Sequence, residues 1–298
     1  MISCGPMQRE KGTLPSILTP ELRAAFERDG FALVPGLFDA EETGLLRTAI
    51  ERDPAIHANI HERGDSEGGV TRMAGWNHPG DSVYGLAARC ERVVDTMEDL
   101  LGGEVYHYHS KIAAKEPYEG GAWEWHQDYG YWYNNGCLFP LMASVMVALD
   151  PATRENGCLQ VLRGSHRLGR IDQGLLEGNL VGADLARVAE ARKVLDLVHC
   201  EMAPGDGLFF HCNTLHRSDA NRSAQRRWVL LCCYNAARND PCREHHHPRY
   251  TPLDKVPDAA VKAAGLRLSD PAHADAFLKK VNPPAELKKR GGKTFAQA

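Results

Sequence analysis

The chain has 298 residues, of which 43% are hydrophobic and 25% charged, enough apolar side chain for a sizeable core. A formal net charge of −4 excludes a global electrostatic attraction to nucleic acid or an anionic membrane surface, and the Lys288-Lys289-Arg290 run reads as a solvated tail. No run of 18 apolar residues and no basic-then-apolar leader within Met1–Lys11 are present, so neither a membrane nor a nucleic acid is expected as a partner. Nine cysteines, an odd number without any CxxC, in a chain this long point to reduced thiols and a cytoplasmic location.

Thr19-Pro20-Glu21 opens a helix, with Thr19 as N-cap and Pro20 at the first helical position; it is expected to run to about Arg28 and stop at Gly30. Phe31–Phe38 reads as a strand and turn. Asp39-Ala40-Glu41-Glu42 is a capping-box-like start for a second helix through about Glu51. A third helix is expected from Ser82 to Leu101, ending at Gly102-Gly103. From Val105 the period changes, and residues 105–115, 143–150, 158–162, 194–202, 207–212 and 227–235 are strand-like, separated by Gly, Pro and Asn turn signals. One or two short helices are expected beyond Pro248, around Ala259–Gly265 and Pro271–Val281. The order suggests a mainly β protein with flanking helices, a sandwich or jelly roll with the helices on one side. Residues 1–298 are expected to form one domain: a helical N-terminal segment 19–104, a jelly-roll core 105–240 and a tail 241–298.

The chemistry concentrates in Trp123-Glu124-Trp125-His126-Gln127-Asp128-Tyr129, read as a strand. On a strand, His126 and Asp128 project to the same face. His216, ninety residues later, would complete three donors on one side of a metal, the 2-His-1-carboxylate facial triad of non-haem Fe(II) oxygenases. Alone, an HxD in a chain with 14 His and 39 acidic residues is equally well a hydrogen-bonded histidine beside a turn carboxylate. The context around His216 adds weight. Pro204–Cys212 reads as a turn feeding an apolar strand, and Arg227 follows His216 by eleven residues on the next strand. There Arg227, Val229, Leu231 and Cys233 share one face, and Arg226, Trp228, Leu230 and Cys232 the other. A lone guanidinium on an apolar inner face is costly without an anion, so Arg227 is expected to clamp a dicarboxylic acid. Arg226 is expected to make an outward salt bridge.

His107 and His109 form an HxH pair with cupin-like spacing. They sustain a rival reading: a cupin-like metal-binding protein or isomerase without 2-oxoglutarate turnover. The aromatics Trp123, Trp125, Tyr129, Tyr131, Trp132 and Tyr133 read mainly as core packing. His245-His246-His247 reads as a loop, a lid or a substrate rim, and His166 as structural.

The combination of HxD, distal His and an Arg eleven positions on resembles the phytanoyl-CoA dioxygenase family of Fe(II)/2-oxoglutarate oxygenases. Trp125–Trp132 resembles the signature of ectoine hydroxylase and of amino-acid hydroxylases in that family. Asn156–His166 resembles its NG-x-L…GSH segment, and Phe210–Asn221 its H-x-S-x-x-N segment. The similarity spans roughly Phe31 to Asn235. It implies a double-stranded β-helix (jelly roll, cupin-like) with N-terminal helices packed on one sheet. It also implies Fe(II) held by His126, Asp128 and His216, and Arg227 on the C5 carboxylate of 2-oxoglutarate with Ser218 as helper. Lys111 would face the cosubstrate or substrate, and Trp132, with Tyr129 and Tyr131, would stand on the substrate side. The implied activity is hydroxylation of an aliphatic C–H of a small molecule using O2, with ascorbate in support and release of succinate and CO2, by a monomer or homodimer. Halogenation would need a halide where Asp128 stands. An interaction protein on the same fold would have no need of the intact ligand set. Ala113 stands where ectoine hydroxylase carries an Asn for the cosubstrate, so that contact must differ.

Overall fold

The computed structural model describes residues 17–175, 181–270 and 276–278. Helix α1 (Pro20–Asp29) starts with the Thr19 hydroxyl accepting from the Leu22 amide at 3.3 Å. It ends at Gly30, whose φ of 84° and N–H to Phe26 carbonyl bond close the last turn. A side chain there would also meet the His166 ring at 2.5 Å, so the close approach and the left-handed backbone both demand glycine. Strand β1 (Phe31–Val34) leads to α2 (Ala40–Arg52), where Asp39 and Glu42 form both halves of the capping box.

The next stretch departs from expectation. After α3 (Pro54–Ala58), strands β2 (His61–Gly64) and β3 (Val70–Trp76) lie inside the segment 19–104 that reads as helical. β2 is short and polar, glycines separate the two, and β3 joins the sheet by pairing with the later β4, a long-range cause that local periodicity does not carry. The expected helix 82–101 is two helices, α4 (Val83–Ala87) and α5 (Glu91–Leu101). The chain between them is extended at Cys90 and is held by Val256, whose N–H donates to the Arg89 carbonyl and whose carbonyl accepts from Glu91, each at 3.0 Å.

The remaining elements are β4 (Val105–Lys115), β5 (Trp123–His126), α6 (Asp128–Asn134), β6 (Met142–Ala148), β7 (Leu159–Leu162), β8 (Gln173–Leu175) and β9 (Val181–Ala183), then α7 (Leu185–Val194), β10 (Leu197–Cys200), β11 (Gly207–His211), β12 (His216–Ser218), β13 (Arg227–Ala236) and α8 (Ala259–Ala263). Residues 194–202, read as one strand, are the end of α7 and the shorter β10. The expected helix 271–281 lies outside the described residues except at Ala276–Leu278, where Phe277 bridges Trp76.

Two antiparallel sheets form the jelly roll, one of seven strands (β1-β11-β6-β13-β4-β3-β2) and one of four (β10-β7-β12-β5), with β8-β9 as a separate ribbon. The outer face of the large sheet offers Val145, Val147, Phe209 and Leu230 to Leu46 and Ile50 of α2 and to Val93 and Met97 of α5. Fully burying each such side chain stabilises by about 1.5–3 kcal/mol, which is what holds the helices on this one face. The inner face, through Met146, Leu208, Phe210, Val229 and Leu231, packs on Leu159 and Val161 of the small sheet. The fold is the expected jelly roll with N-terminal helices on one sheet. All eight cysteines among the described residues are unpaired, and no described helix is long and apolar enough to cross a membrane.

Candidate metal centre and active site

β5 and β12 are paired so that His126 and His216 are direct cross-strand partners. The expectation that His126 and Asp128 share one strand is corrected: β5 stops at His126, and Asp128 is the first residue of α6. Gln127 between them is still extended (φ −117°, ψ 132°), so the two side chains nevertheless come to one side. Gln127 itself is fully buried on the other side. Its amide donates to the Gly169 and Asn213 carbonyls at 2.8 and 2.7 Å, and its carbonyl accepts from the Ile171 amide at 2.7 Å. That anchoring fixes where the motif turns from strand to helix.

His126 Nε2 lies 4.0 Å and His216 Nε2 3.9 Å from Asp128 Oδ1, and the three donor atoms all fall within 4.8 Å of one another. All three residues are buried. Each imidazole uses Nδ1 on the carbonyl two residues before it, Glu124 at 2.7 Å and Thr214 at 2.9 Å. An N–H must sit on the nitrogen facing a carbonyl, which leaves both Nε2 lone pairs turned toward the carboxylate. Burial, and for His126 also the neighbouring His216, holds both histidines below their ordinary range, so they are neutral donors. The other carboxylate oxygen of Asp128 accepts from the Ser144 hydroxyl at 3.5 Å. Two neutral imidazoles and a carboxylate on one side of a small gap suit a divalent first-row metal.

A cleft of about 430 Å³ opens between the sheets beside this group, lined by Lys111, Trp123, His126, Met146, His216, Ser218 and Arg227 among others. Arg227 is 3% exposed, forms no ion pair among the described residues, and its Nε has no hydrogen-bond partner. Burial pulls it down to about 10, so it still carries its proton at neutral pH. A buried guanidinium without an anion is a cost that a carboxylate ligand removes. Arg226 points outward to Glu51 and to Asp150, 3.1 Å from Nε, as expected.

Sequence reasoning missed Lys115. It is fully buried, pairs directly across from Arg227, and donates to the Ser218 hydroxyl at 2.8 Å and to the Asp219 carbonyl. Burial, and then the charge of Arg227, hold its ammonium well below the ordinary lysine range. Ser218 is thus an acceptor for Lys115 as well as a wall of the cleft. Gly157, inside the NG-x-L segment, makes room for this arrangement. A Cβ there would lie 2.2 Å from the Asp219 carbonyl oxygen and 3.2 Å from Lys115 Nζ. Asn221 ties the β12–β13 turn to the end of β4 through the Lys115 and Glu116 carbonyls. The unusual Gly157 and Asn221 were the available signal, although neither names a lysine.

Of the aromatics read as substrate-side, Tyr131 meets the His126 ring edge-on at 6.2 Å, and all three have partners of their own. Tyr129 donates its hydroxyl to the Cys137 and Leu138 carbonyls, Tyr131 to the Val181 carbonyl, and Trp132 packs edge-on against Tyr108 and His109. None of the three lines the cleft; Trp123 does. His107 is satisfied by Ser110 at 2.8 Å and the Asn77 carbonyl at 3.1 Å, and His109 stacks on His247 at 4.5 Å. The triple-histidine loop therefore packs over the start of β4, next to the cleft. His166 bonds the Glu27 carbonyl and is structural, as read.

The family model for phytanoyl-CoA dioxygenase (PhyH) matches residues 26–229. Among curated proteins, L-proline trans-4-hydroxylase of Streptomyces griseoviridis is 30% identical over 83% of this chain and 97% of that protein. Ectoine dioxygenase of Stutzerimonas stutzeri (strain A1501) is 27% identical over 74% and 78%. Among solved structures, EctD from S. alaskensis with bound Fe matches with a TM-score of 0.68 at 24% identity, covering 83% of this chain and 91% of that one. The same protein with 2-oxoglutarate and 5-hydroxyectoine matches with a TM-score of 0.64 over the same shares.

Proposed function

The chain belongs to the phytanoyl-CoA dioxygenase (PhyH) family, and from that premise we propose that it is an Fe(II)- and 2-oxoglutarate-dependent dioxygenase that hydroxylates an aliphatic C–H of a small molecule. The observation that carries this reading is the pairing, in one cleft, of the buried His126–Asp128–His216 group with the unpartnered guanidinium of Arg227. The bound iron would supply O2 activation, coupling decarboxylation of 2-oxoglutarate to succinate and CO2 with hydroxylation of the substrate.

The protein's part is to bind, orient and exclude water. His126, Asp128 and His216 would hold the metal, and the Nδ1 bonds of the two histidines to backbone carbonyls fix each ring in place for it. Arg227 receives the remote carboxylate of 2-oxoglutarate, with Ser218 and Lys115 beside it. The retained carboxylate of Asp128 favours hydroxylation over halogenation. The cupin-like alternative loses its ligands, because both ring nitrogens of His107 are already bonded, and the triad is the one group close enough to hold a metal among the described residues. The unpaired cysteines support a cytoplasmic setting, and the site is complete within one chain, as a monomer or a homodimer would have it.

His126→Ala and His216→Ala should each abolish Mn(II) binding, measured by anaerobic calorimetry, while circular dichroism and the melting transition stay close to wild type. Wild-type affinity and stoichiometry in both variants would remove the triad from consideration.

A further inference from the structure

Arg227, on the wall of the cleft and opposite Lys115 in the sheet, marks where the remote carboxylate of 2-oxoglutarate would lie. Lys111 is four residues away along β4, opposite Leu231 and Gly75, so a strand rise of about 3.3 Å per residue puts it roughly 13 Å from that anchor. It nevertheless lines the same cleft, with His126 and His216.

A second cation joins it. Trp123 carries Arg63 Cζ at 4.1 Å from its ring centroid and Lys111 Nζ at 5.6 Å. Neither Lys111 nor Arg63 forms an ion pair among the described residues; Arg63 spends one N–H on the Ala122 carbonyl at 3.3 Å. Two cations without an ion pair among the described residues thus share one ring at the wall of the reaction cleft, a place suited to an anion. The cosubstrate already has Arg227, which leaves this pair for the substrate. The cleft is shared with 2-oxoglutarate, so the substrate that lies beside it is a small molecule.

We propose that Lys111, with Arg63 across the Trp123 ring, is the anchor for a carboxylate on the substrate, so that the enzyme acts on a small free carboxylic acid of amino-acid type. Lys111 is thereby a substrate-binding residue and not part of the 2-oxoglutarate anchor. The inference rests on the proposed oxygenase function.

The test has two stages. Wild type and the variants Lys111→Met, Lys111→Arg and Arg63→Met are first titrated anaerobically with Mn(II) and then 2-oxoglutarate. The loaded complexes are then titrated with the proteinogenic amino acids and, as partners lacking the carboxylate, their decarboxylated amines, beginning with L-proline and pyrrolidine. The expected result is 2-oxoglutarate affinity within about twofold of wild type in all four proteins. At least one acid should bind wild type with its amine at least tenfold weaker, and that acid should lose at least tenfold in Lys111→Met, less in Arg63→Met, and recover in part in Lys111→Arg. Failure of wild type to bind Mn(II) and 2-oxoglutarate overturns the oxygenase reading, and this inference with it. Normal cosubstrate binding overturns this inference alone in any of three cases: no acid binds, amines bind as well as acids, or Lys111→Met weakens 2-oxoglutarate as strongly as the acid.

Discussion

Arg227 is buried with its Nε unpartnered, whereas the adjacent Arg226 reaches Glu51 and Asp150 and lies 4.8 Å over the Trp228 ring. Strand alternation alone puts these neighbours in opposite settings, and that contrast was legible in the sequence. Truncating one partner of a buried charged contact costs on the order of 2–5 kcal/mol. Arg227→Ala should therefore weaken 2-oxoglutarate by roughly 30-fold or more, at about 1.4 kcal/mol per tenfold, and leave Mn(II) binding near wild type. Arg226→Ala is not a neutral control, because Asp150 is buried and held up by that burial, with Arg226 as the main counterweight. It should lower folding stability by about 1–3 kcal/mol with little change in 2-oxoglutarate affinity. Arg154, exposed and paired only with Glu201, is the better control. Equal losses of 2-oxoglutarate affinity at 226 and 227 would rule out the anchor role. Lys115 escaped the sequence because a lysine at a strand end looks solvated; only the β13–β4 register brings it opposite Arg227.

Elements whose ends are fixed locally could be read, and those fixed at a distance could not. Thr19, Gly30, Asp39 and Glu42 satisfy helix-end groups within a few residues, so α1 and α2 fall where their caps predict. The break between α4 and α5 depends on a segment more than 160 residues away. Arg89, almost fully buried, donates to the Asp254 carbonyl at 2.9 Å and the Gly80 carbonyl at 3.1 Å and pairs with Asp81, pinning the chain around Val256 into the gap. The start of α6 is of the same kind, since the buried amide of Gln127 decides that Asp128 opens a helix. Arg89→Leu removes the side chain's donors and leaves those carbonyls unmet, at a cost of about 2–4 kcal/mol. Native-state hydrogen exchange should show faster exchange at the Val256 and Glu91 amides, with the metal site unaffected. Unchanged protection at both amides would mean that the backbone pairing holds the gap without Arg89.

Across the whole molecule, many histidines are enclosed in a neutral form, and that makes the fold sensitive to acid. Burial, the largest cause in each case, holds His107 down to about 3 and His211 to about 4. In the unfolded chain a histidine titrates near 6.5. Below that pH the unfolded state takes up protons that the folded state refuses, so the stability associated with each group is complete above pH 6.5 and is lost as pH falls toward 4 and 3. A difference of one bound proton changes stability by about 1.4 kcal/mol per pH unit, so these two histidines together give a slope of roughly 3 kcal/mol per unit. Against a total of about 5–15 kcal/mol, that is enough to unfold the protein within a few units of neutrality. His109, His126 and His216 are shifted in the same direction and steepen the loss. Urea melts of metal-free protein between pH 7.5 and 4.5 should show stability falling ever more steeply below 6.5. His107→Gln, which keeps a polar group near Ser110 and the Asn77 carbonyl but cannot take the charge, should flatten the slope by close to one proton. If stability is constant from pH 7 to 5, or the His107→Gln slope matches wild type, the buried histidines do not set the acid limit of this fold.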